Sequence, residues 1–366
     1  MSDTHLAILL YILFSLGCLV FSMLIIGLFL KFSRNLGIRN TSETVIRWGS
    51  QSKPAFGGIA FFIIFLLSIA CFNIFFGQDS MMHNKEFLGL LGATTLAFLM
   101  GLADDAYNTR PLLKLGVQIA CGFLLSWTGI SIRLFDLHIL NTLLTVLWVV
   151  GIMNSINMLD NMDAITTIVS FSILTTTLLL LLILKREDHF YTMILLGTLS
   201  ALTGFLYYNW HPSRMYMGDT GSQFLGLLLA AVGILFFWNY KAESSPVSMR
   251  LVLTALVFLL PLTDTFTVIV NRLARKQSPF IGGRDHTTHH LVYLGFSDRQ
   301  VAVVFWTISI VSLTLVLLVV SGQLAWTMTT CLLLSGYMAV VFLTLFLIVR
   351  RSADGKKKET GTNIEN

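Results

Sequence analysis

Apolar runs of roughly 20 residues recur along this chain from near its first residue to near its last. A stretch of that length is what an α-helix needs to cross a bilayer. In hydrocarbon every backbone polar group must be satisfied within the segment, which leaves the helix as the natural form for such runs. The 366 residues are 55% hydrophobic and 12% charged, where a soluble domain carries about 25% charge. These features exclude a soluble enzyme held by a single anchor. They predict an all-α polytopic integral membrane protein. Residues 1–350 form one transmembrane domain, and 351–366 form a basic, disordered tail of the solvated kind.

Hydropathy predicts 11 spans, near 6–30, 55–77, 86–103, 113–130, 138–156, 164–184, 190–209, 220–238, 251–270, 300–320 and 324–349. The first run is too long for a signal-peptide core and has no basic region before it, so it reads as a retained helix. An odd number of spans puts the termini on opposite sides. Of the 24 Lys and Arg residues, 18 fall on one side and six on the other. The richer side is the cytoplasmic one by the positive-inside rule, so the N-terminus is expected outside and the C-terminus inside. That bias accounts for the net charge of +5 without nucleic acid as a partner. The four Cys lie singly within apolar segments, with no metal or disulfide spacing.

Against this background the polar interruptions stand out. Asp104, Asp105, Asp160, Asp163 and Asp219 sit at helix ends, all on the expected cytoplasmic side. Charge near the membrane is costly and marks function. In "GLADDAYNTRPLLKLGVQ" the adjacent carboxylates Asp104 and Asp105 need a cation beside them, or else they cap a helix in a solvated loop. Lys114 follows closely. In "NSINMLDNMDAI" Asn154, Asn157, Asp160 and Asp163 recur every third residue. Residues three apart on a helix stand about 60° from one another around its axis. The first three therefore share a broad face, and Asp163 drifts off it. Amide and carboxylate oxygens suit Mg²⁺, with phosphate oxygens and water completing its shell; interhelical hydrogen bonding is the structural alternative. In "MYMGDTGSQFLG" Asp219 lies between Gly218 and Gly221 at a helix start. There, close backbone approach and the helix N-terminus favour an anion, or Asp219 simply caps. In "RDHTTHHL", Arg284, His286, His289 and His290 form a donor cluster suited to a diphosphate. Lys53, before Gly57 and Gly58, is placed near an anion. Asp264 lies in mid-span, where an acid is functional or bonds a neighbouring helix.

These clusters, in this order, resemble the polyprenyl-phosphate N-acetylhexosamine-1-phosphate transferases, glycosyltransferase family 4. The resemblance covers roughly residues 40–300 and rests on "DD" after the third span, "NxxNxxDxxD" after the fifth and "MGDTGS" before the eighth. It implies transfer of N-acetylhexosamine-1-phosphate, with GlcNAc the best guess, from a UDP-sugar to undecaprenyl phosphate. UMP leaves, and a lipid-linked cell-envelope glycan is begun on the cytoplasmic face of the bacterial inner membrane. It also implies Mg²⁺, with Mn²⁺ as the alternative. By the same resemblance Asp219 and Asn157 lie by the metal, and Asp104, Asp105 and Asp160 are catalytic. Lys53, Lys114, Asn154, Asp163, Arg284, His286, His289 and His290 bind substrate. A homodimer is compatible with it.

The chain departs from the family pattern in three places. The second motif usually reads "DGxDG" and here reads "DNMDA", so Asn161 and Ala164 stand where glycines are usual. The histidine motif "RDHTTHHL" differs from the "HIHHL" of one family branch, and from the peptidoglycan type, which argues against a muramoyl-pentapeptide substrate. The usual "DxPxxRKxH" pattern of the first cytoplasmic loop is missing from "RNTSETVIRWGSQSKP". Two other readings compete. A transporter would use midplane carboxylates and repeated halves, and an inactive relative would follow from "DNMDA".

Overall fold

The computed structural model describes residues 3–35, 53–77, 84–186, 188–241, 244–278, 283 and 285–362. Residues 39–52 of the first cytoplasmic loop, where the usual pattern is missing, and Arg284 lie outside the described residues. Thirteen α-helices run in chain order among the described residues: α1 (Asp3–Asn35), α2 (Gly57–Phe76), α3 (Lys85–Tyr107), α4 (Pro111–Trp127), α5 (His138–Leu159), α6 (Ile165–Ile183), α7 (His189–Asn209), α8 (Gly218–Val232), α9 (Val247–Val257), α10 (Leu259–Ala274), α11 (Thr287–Tyr293), α12 (Asp298–Val320) and α13 (Met328–Thr362). A π-helical stretch, Gly233–Trp238, extends α8. The protein is an all-α polytopic membrane protein.

Local sequence sets the helix ends near the site. Asn84 caps α3, its side chain accepting from the Glu86 and Phe87 amides. The same helix stops at Asn108, whose left-handed φ of 50° lets its N–H return to the Asp104 carbonyl. Pro111 opens α4 at a position where a missing N–H costs nothing.

Among the described residues nine helices are long and apolar enough to span a membrane. Each of the 11 expected segments coincides with helix, but two are not ordinary spans. α4 has 17 residues. The expected ninth span, 251–270, is two helices bent by 79°. The break at Phe258 has a local cause. Pro261 has no N–H for the carbonyl four residues back and its ring crowds that turn, so it is tolerated only in the first turn of a new helix. The segment 271–299, expected as loop, contains the short helix α11. Beyond the span Met328–Arg351 the α13 backbone stays helical to Thr362, into residues whose composition reads as a solvated tail.

α8 is the centre of the bundle. Every one of its residues is buried except Asp219. A helix that is apolar all round belongs inside; α8 packs against α2, α3, α5 and α6. Glycines permit the close approach. A Cβ on Gly58 would overlap the Gly221 backbone, and one on Gly101 would overlap the chain at Asp219 and Thr220. Small residues at helix contacts are how bilayer helices gain van der Waals packing. α1 and α13, by contrast, keep most side chains on the outside, where Leu13, Leu24, Leu333 and Val340 are exposed.

Candidate active site

The exposed end of α8 is where polar chemistry collects. Asp104 from α3, Lys114 from α4, Asn157 from α5 and Asp219 from α8 meet there. Lys114 Nζ donates to Asp104 Oδ2 at 2.9 Å, to Asn157 Oδ1 at 3.2 Å and to Asp219 Oδ1 at 3.3 Å. Asn157 Nδ2 donates to Asp219 Oδ1 and, at 2.8 Å, to Ser222 Oγ. Asp219 is the most open of the charged group, its side chain 30% exposed against 16% for Lys114 and 10% for Asp104. Asp104 is aimed by its other oxygen, which accepts from Thr109 N (2.8 Å) and Thr109 Oγ1 (2.6 Å).

Asp105 faces elsewhere. Its Oδ1 accepts from Asp219 N (2.9 Å), and its Oδ2 from Thr220 N (2.8 Å) and Thr220 Oγ1 (2.6 Å). It therefore caps α8 from a neighbouring helix, and its oxygens hold the Asp219 main chain instead of facing Lys114. Gly218, at φ +73°, makes this possible, because a Cβ there would meet the Asp105 carboxylate. The two adjacent aspartates thus divide the work: one lines the cluster, the other builds its floor.

One helical turn deeper lies a second layer. Gln118 is four residues past Lys114, Asn154 three before Asn157, and Gln223 four past Asp219. Gln118 Nε2 donates to Asn154 Oδ1 (3.2 Å) and Gln223 Oε1 (3.0 Å), and Asn154 Nδ2 donates to Gln118 Oε1 (2.8 Å). Asn154 therefore belongs to this amide layer below the cluster. The two glutamines were visible in the sequence as lone amides inside apolar runs, one turn beyond charged residues, a spacing that singles them out only once their partner helices are known.

The turn after α5 carries a different set. The helix ends at Leu159 and Asp160 is its C-cap, a half-buried residue whose N–H returns to the Ile156 and Asn157 carbonyls. Asp163 is past the helix and buried. Its carboxylate accepts from Ser213 Oγ (2.6 Å), Ser213 N (2.9 Å) and His211 Nδ1 (3.0 Å), with Lys53 Nζ at 3.9 Å. Lys53 itself donates to Ser213 Oγ at 3.0 Å. Asp163 and Lys53 thus fasten the 211–213 turn instead of pointing into the Asp219 cluster. Ala164 adopts φ +66°, the left-handed conformation that glycine takes most readily. Asn209 holds it there, accepting from Ala164 N (3.0 Å) and Thr167 Oγ1 (3.0 Å).

The histidine segment is docked from beneath. Asp264, 1% exposed, accepts from His286 Nδ1 (2.9 Å), Thr287 N (2.8 Å) and Thr287 Oγ1 (2.7 Å). Asp264 is committed to holding α11, which is not the open midplane carboxylate a transporter would use. His286, His289 and His290 are all buried. Burial, reinforced by the neighbouring His286, pushes His289 down to about 3, so its imidazole is neutral. Burial works against the Asp285 carboxylate, but the hydrogen bonds and charge of Arg272, at 2.6 and 2.9 Å, outweigh it and hold it below the usual carboxylate range.

Among the described residues no group of three or more His, Cys, Asp or Glu side chains is arranged to hold a metal ion. A substrate-borne Mg²⁺ needs less: one or two protein oxygens, with phosphate and water supplying the others. Asp219, the most open side chain of the cluster, offers carboxylate oxygens of that kind, while the Asn157 oxygen accepts from Lys114 and its amide N–H group faces Asp219.

A helical bundle with carboxylates, an amide and a lysine gathered at one end of its central helix defines a class: polytopic membrane proteins with a charged site at the helix ends. Residues 87–237, from α3 to the π-helical end of α8, match the model of glycosyl transferase family 4. That segment is about two fifths of the chain and carries Asp104, Lys114, Asn157 and Asp219. The chain is 24% identical over 267 residues to a probable undecaprenyl-phosphate N-acetylglucosaminyl 1-phosphate transferase of Bacillus subtilis, covering 70% of this chain and 71% of that one. It is 24% identical over 347 residues to the decaprenyl-phosphate N-acetylglucosaminephosphotransferase of Mycolicibacterium smegmatis, covering 84% and 81%. A phospho-N-acetylmuramoyl-pentapeptide-transferase of Oceanobacillus iheyensis is 32% identical over 124 residues, 34% of each chain.

Proposed function

We propose that this protein transfers GlcNAc-1-phosphate from UDP-GlcNAc to a polyprenyl phosphate, undecaprenyl phosphate, with release of UMP. The observation that carries this is the meeting of Asp104, Lys114, Asn157 and Asp219 from four helices at the exposed end of α8. The two relatives matched over most of their length, named as undecaprenyl- and decaprenyl-phosphate N-acetylglucosamine-phosphate transferases, support the transferred group and a polyprenyl-phosphate acceptor.

The chemistry suits these residues. A phosphate monoester has its second pKa near about 6, so the acceptor is already mostly dianionic at neutral pH. What the reaction needs is positioning and relief of charge repulsion more than a strong base. Lys114 supplies a cation between two carboxylates and stays in reach of both phosphates. Asp104 is the member of the aspartate pair that faces the reacting groups, and Asp105 acts on them through the Asp219 main chain. Asp219 and Asn157 would hold Mg²⁺, which when bound neutralises the diphosphate. Asp160 flanks the nucleotide side of the same helix end. His289 and His290 would lie over the donor diphosphate, and Arg284 of the same motif is a further candidate donor to it. The face is the cytoplasmic one of the bacterial inner membrane, where UDP-sugars are made, and the product begins a cell-envelope glycan.

The test is incubation of the purified protein with radiolabelled UDP-GlcNAc, undecaprenyl phosphate and Mg²⁺. Labelled lipid and UMP are expected. No UMP from any UDP-N-acetylhexosamine would overturn the reading and leave an inactive relative.

A further inference from the structure

Asn161 stands where the family has glycine, and it is not idle. Its Nδ2 donates to the Met158 carbonyl at 2.9 Å, which fixes the amide against the last turn of α5. Its Oδ1 is then turned outward and accepts from Thr288 Oγ1 at 2.7 Å, across 127 residues of chain. Thr288 is the residue just before the paired histidines, at the position where the "HIHHL" branch carries isoleucine, which has no hydroxyl. Two departures from the family pattern, remote in sequence, are thus two halves of one contact. α11 is held from below by Asp264 and from the side by Asn161. A seven-residue helix is too short to be stable alone, so these attachments set its place.

We infer that Asn161 is a positioning residue: through Thr288 it clasps the histidine helix to the end of α5 and sets the distance between His289 and His290 and the Asn157–Asp219 cluster. A glycine at 161 has no side chain to make this contact, and an isoleucine at 288 could not answer it. The pair therefore replaces a flexible turn by a fixed one, and its effect falls on the hold over the donor diphosphate. This rests on the transferase reading for the identity of the ligand, but the clasp itself does not.

The experiment uses the full-length protein in nanodiscs with Asn161→Ala, Thr288→Val, their double variant and Thr288→Ser. Hydrogen exchange of the α11 amides is read first. Either removal is expected to speed exchange by about tenfold, the loss of one buried hydrogen bond. The double variant should be no faster than either single one, and Thr288→Ser should match the parent. The KM for UDP-GlcNAc should rise by about tenfold in the same variants, with kcat changed less than about threefold, because the helix binds but does not react. Unchanged exchange in both single variants, or effects that multiply in the double variant, overturns the clasp. Faster exchange with an unchanged KM overturns its role in positioning. A parent protein that transfers nothing refutes the transferase reading, and the exchange data still decide the clasp.

Discussion

Around Asp219, charged groups from three helices and an amide from a fourth face one another and remain partly open: the Asp219 side chain is 30% exposed. Around α11 the polar groups are as numerous but are nearly all buried, Asp264 at 1%, His289 at 2% and His290 at 4%. In the first region the bonds join side chain to side chain across helices, so substrate phosphates can take over some of them without unravelling a backbone. In the second, Asp264 and Asn161 bond main chain and hydroxyls that a short helix needs in order to exist. The lesson is that acidity near a membrane is not one signal. Asp219 and Asp104 have the geometry of chemistry, while Asp264, Asp163 and Asp105 have the geometry of joints.

Substitution separates the two. Asp219→Ala should lower kcat by roughly a thousandfold, the upper range for loss of one electrostatic partner of the transition state, with helix content and thermal midpoint close to the parent. A fall in activity matched by unfolding would break the distinction. Asp264→Ala should do the reverse and destabilise by about 3 kcal/mol, since it leaves His286 and the Thr287 amide buried without their acceptor. The measurement is a thermal or denaturant shift in detergent, and a fully stable but dead variant would move Asp264 into the chemical group.

Acid should act on the second region before the first. His289 is held down to about 3 in the folded protein against an ordinary 6.5. Its unfolded form takes up a proton as pH falls below about 6.5 while the folded form does not, so stability is lost from there downward, by up to about 1.4 kcal/mol per pH unit. Asp285 adds to the loss lower down, since its folded value is depressed and its contribution disappears only as pH falls through that value. His289→Phe should flatten the slope between pH 6 and 4 by about one proton; an unchanged slope would sink the account. Ala164→Gly should have the smallest effect. Relief of a left-handed alanine gains about 1–2 kcal/mol, but the lost methyl burial and the freer unfolded chain cost a similar amount. Stability and turnover within about 1 kcal/mol and twofold of the parent are expected.

Helices were legible in the sequence because hydropathy depends on composition alone. Each expected span met a helix, and the motif order led to the family. Which oxygen faces which partner was not legible. Asp104 and Asp105 are adjacent in sequence and both lie in the last turn of α3, and only the close approach of that helix to the start of α8, at Gly101 and Gly218, decides which one lines the site. Asp163 continues a threefold spacing on paper, but the helix ends at Leu159 and the residue is spent on Ser213. Asn161 looked like a defect in a glycine motif. Its partner Thr288 lies 127 positions away, beyond any local pattern. The bend at Phe258 could have been anticipated from Pro261, since a proline that deep in an apolar run demands a new helix start.

The complete enclosure of α8 has a consequence for how the molecule is made. Its packing partners α2, α3, α5 and α6 all precede it in the chain, and domains assemble from the N-terminus as they leave the ribosome. By the time Gly218 emerges, the walls of its slot have already entered the bilayer, and the helix that carries Asp219 can move from the translocation machinery into protein without ever presenting that acid to lipid. A rearranged gene that placed α8 first would have to strand it among acyl chains until its walls arrived.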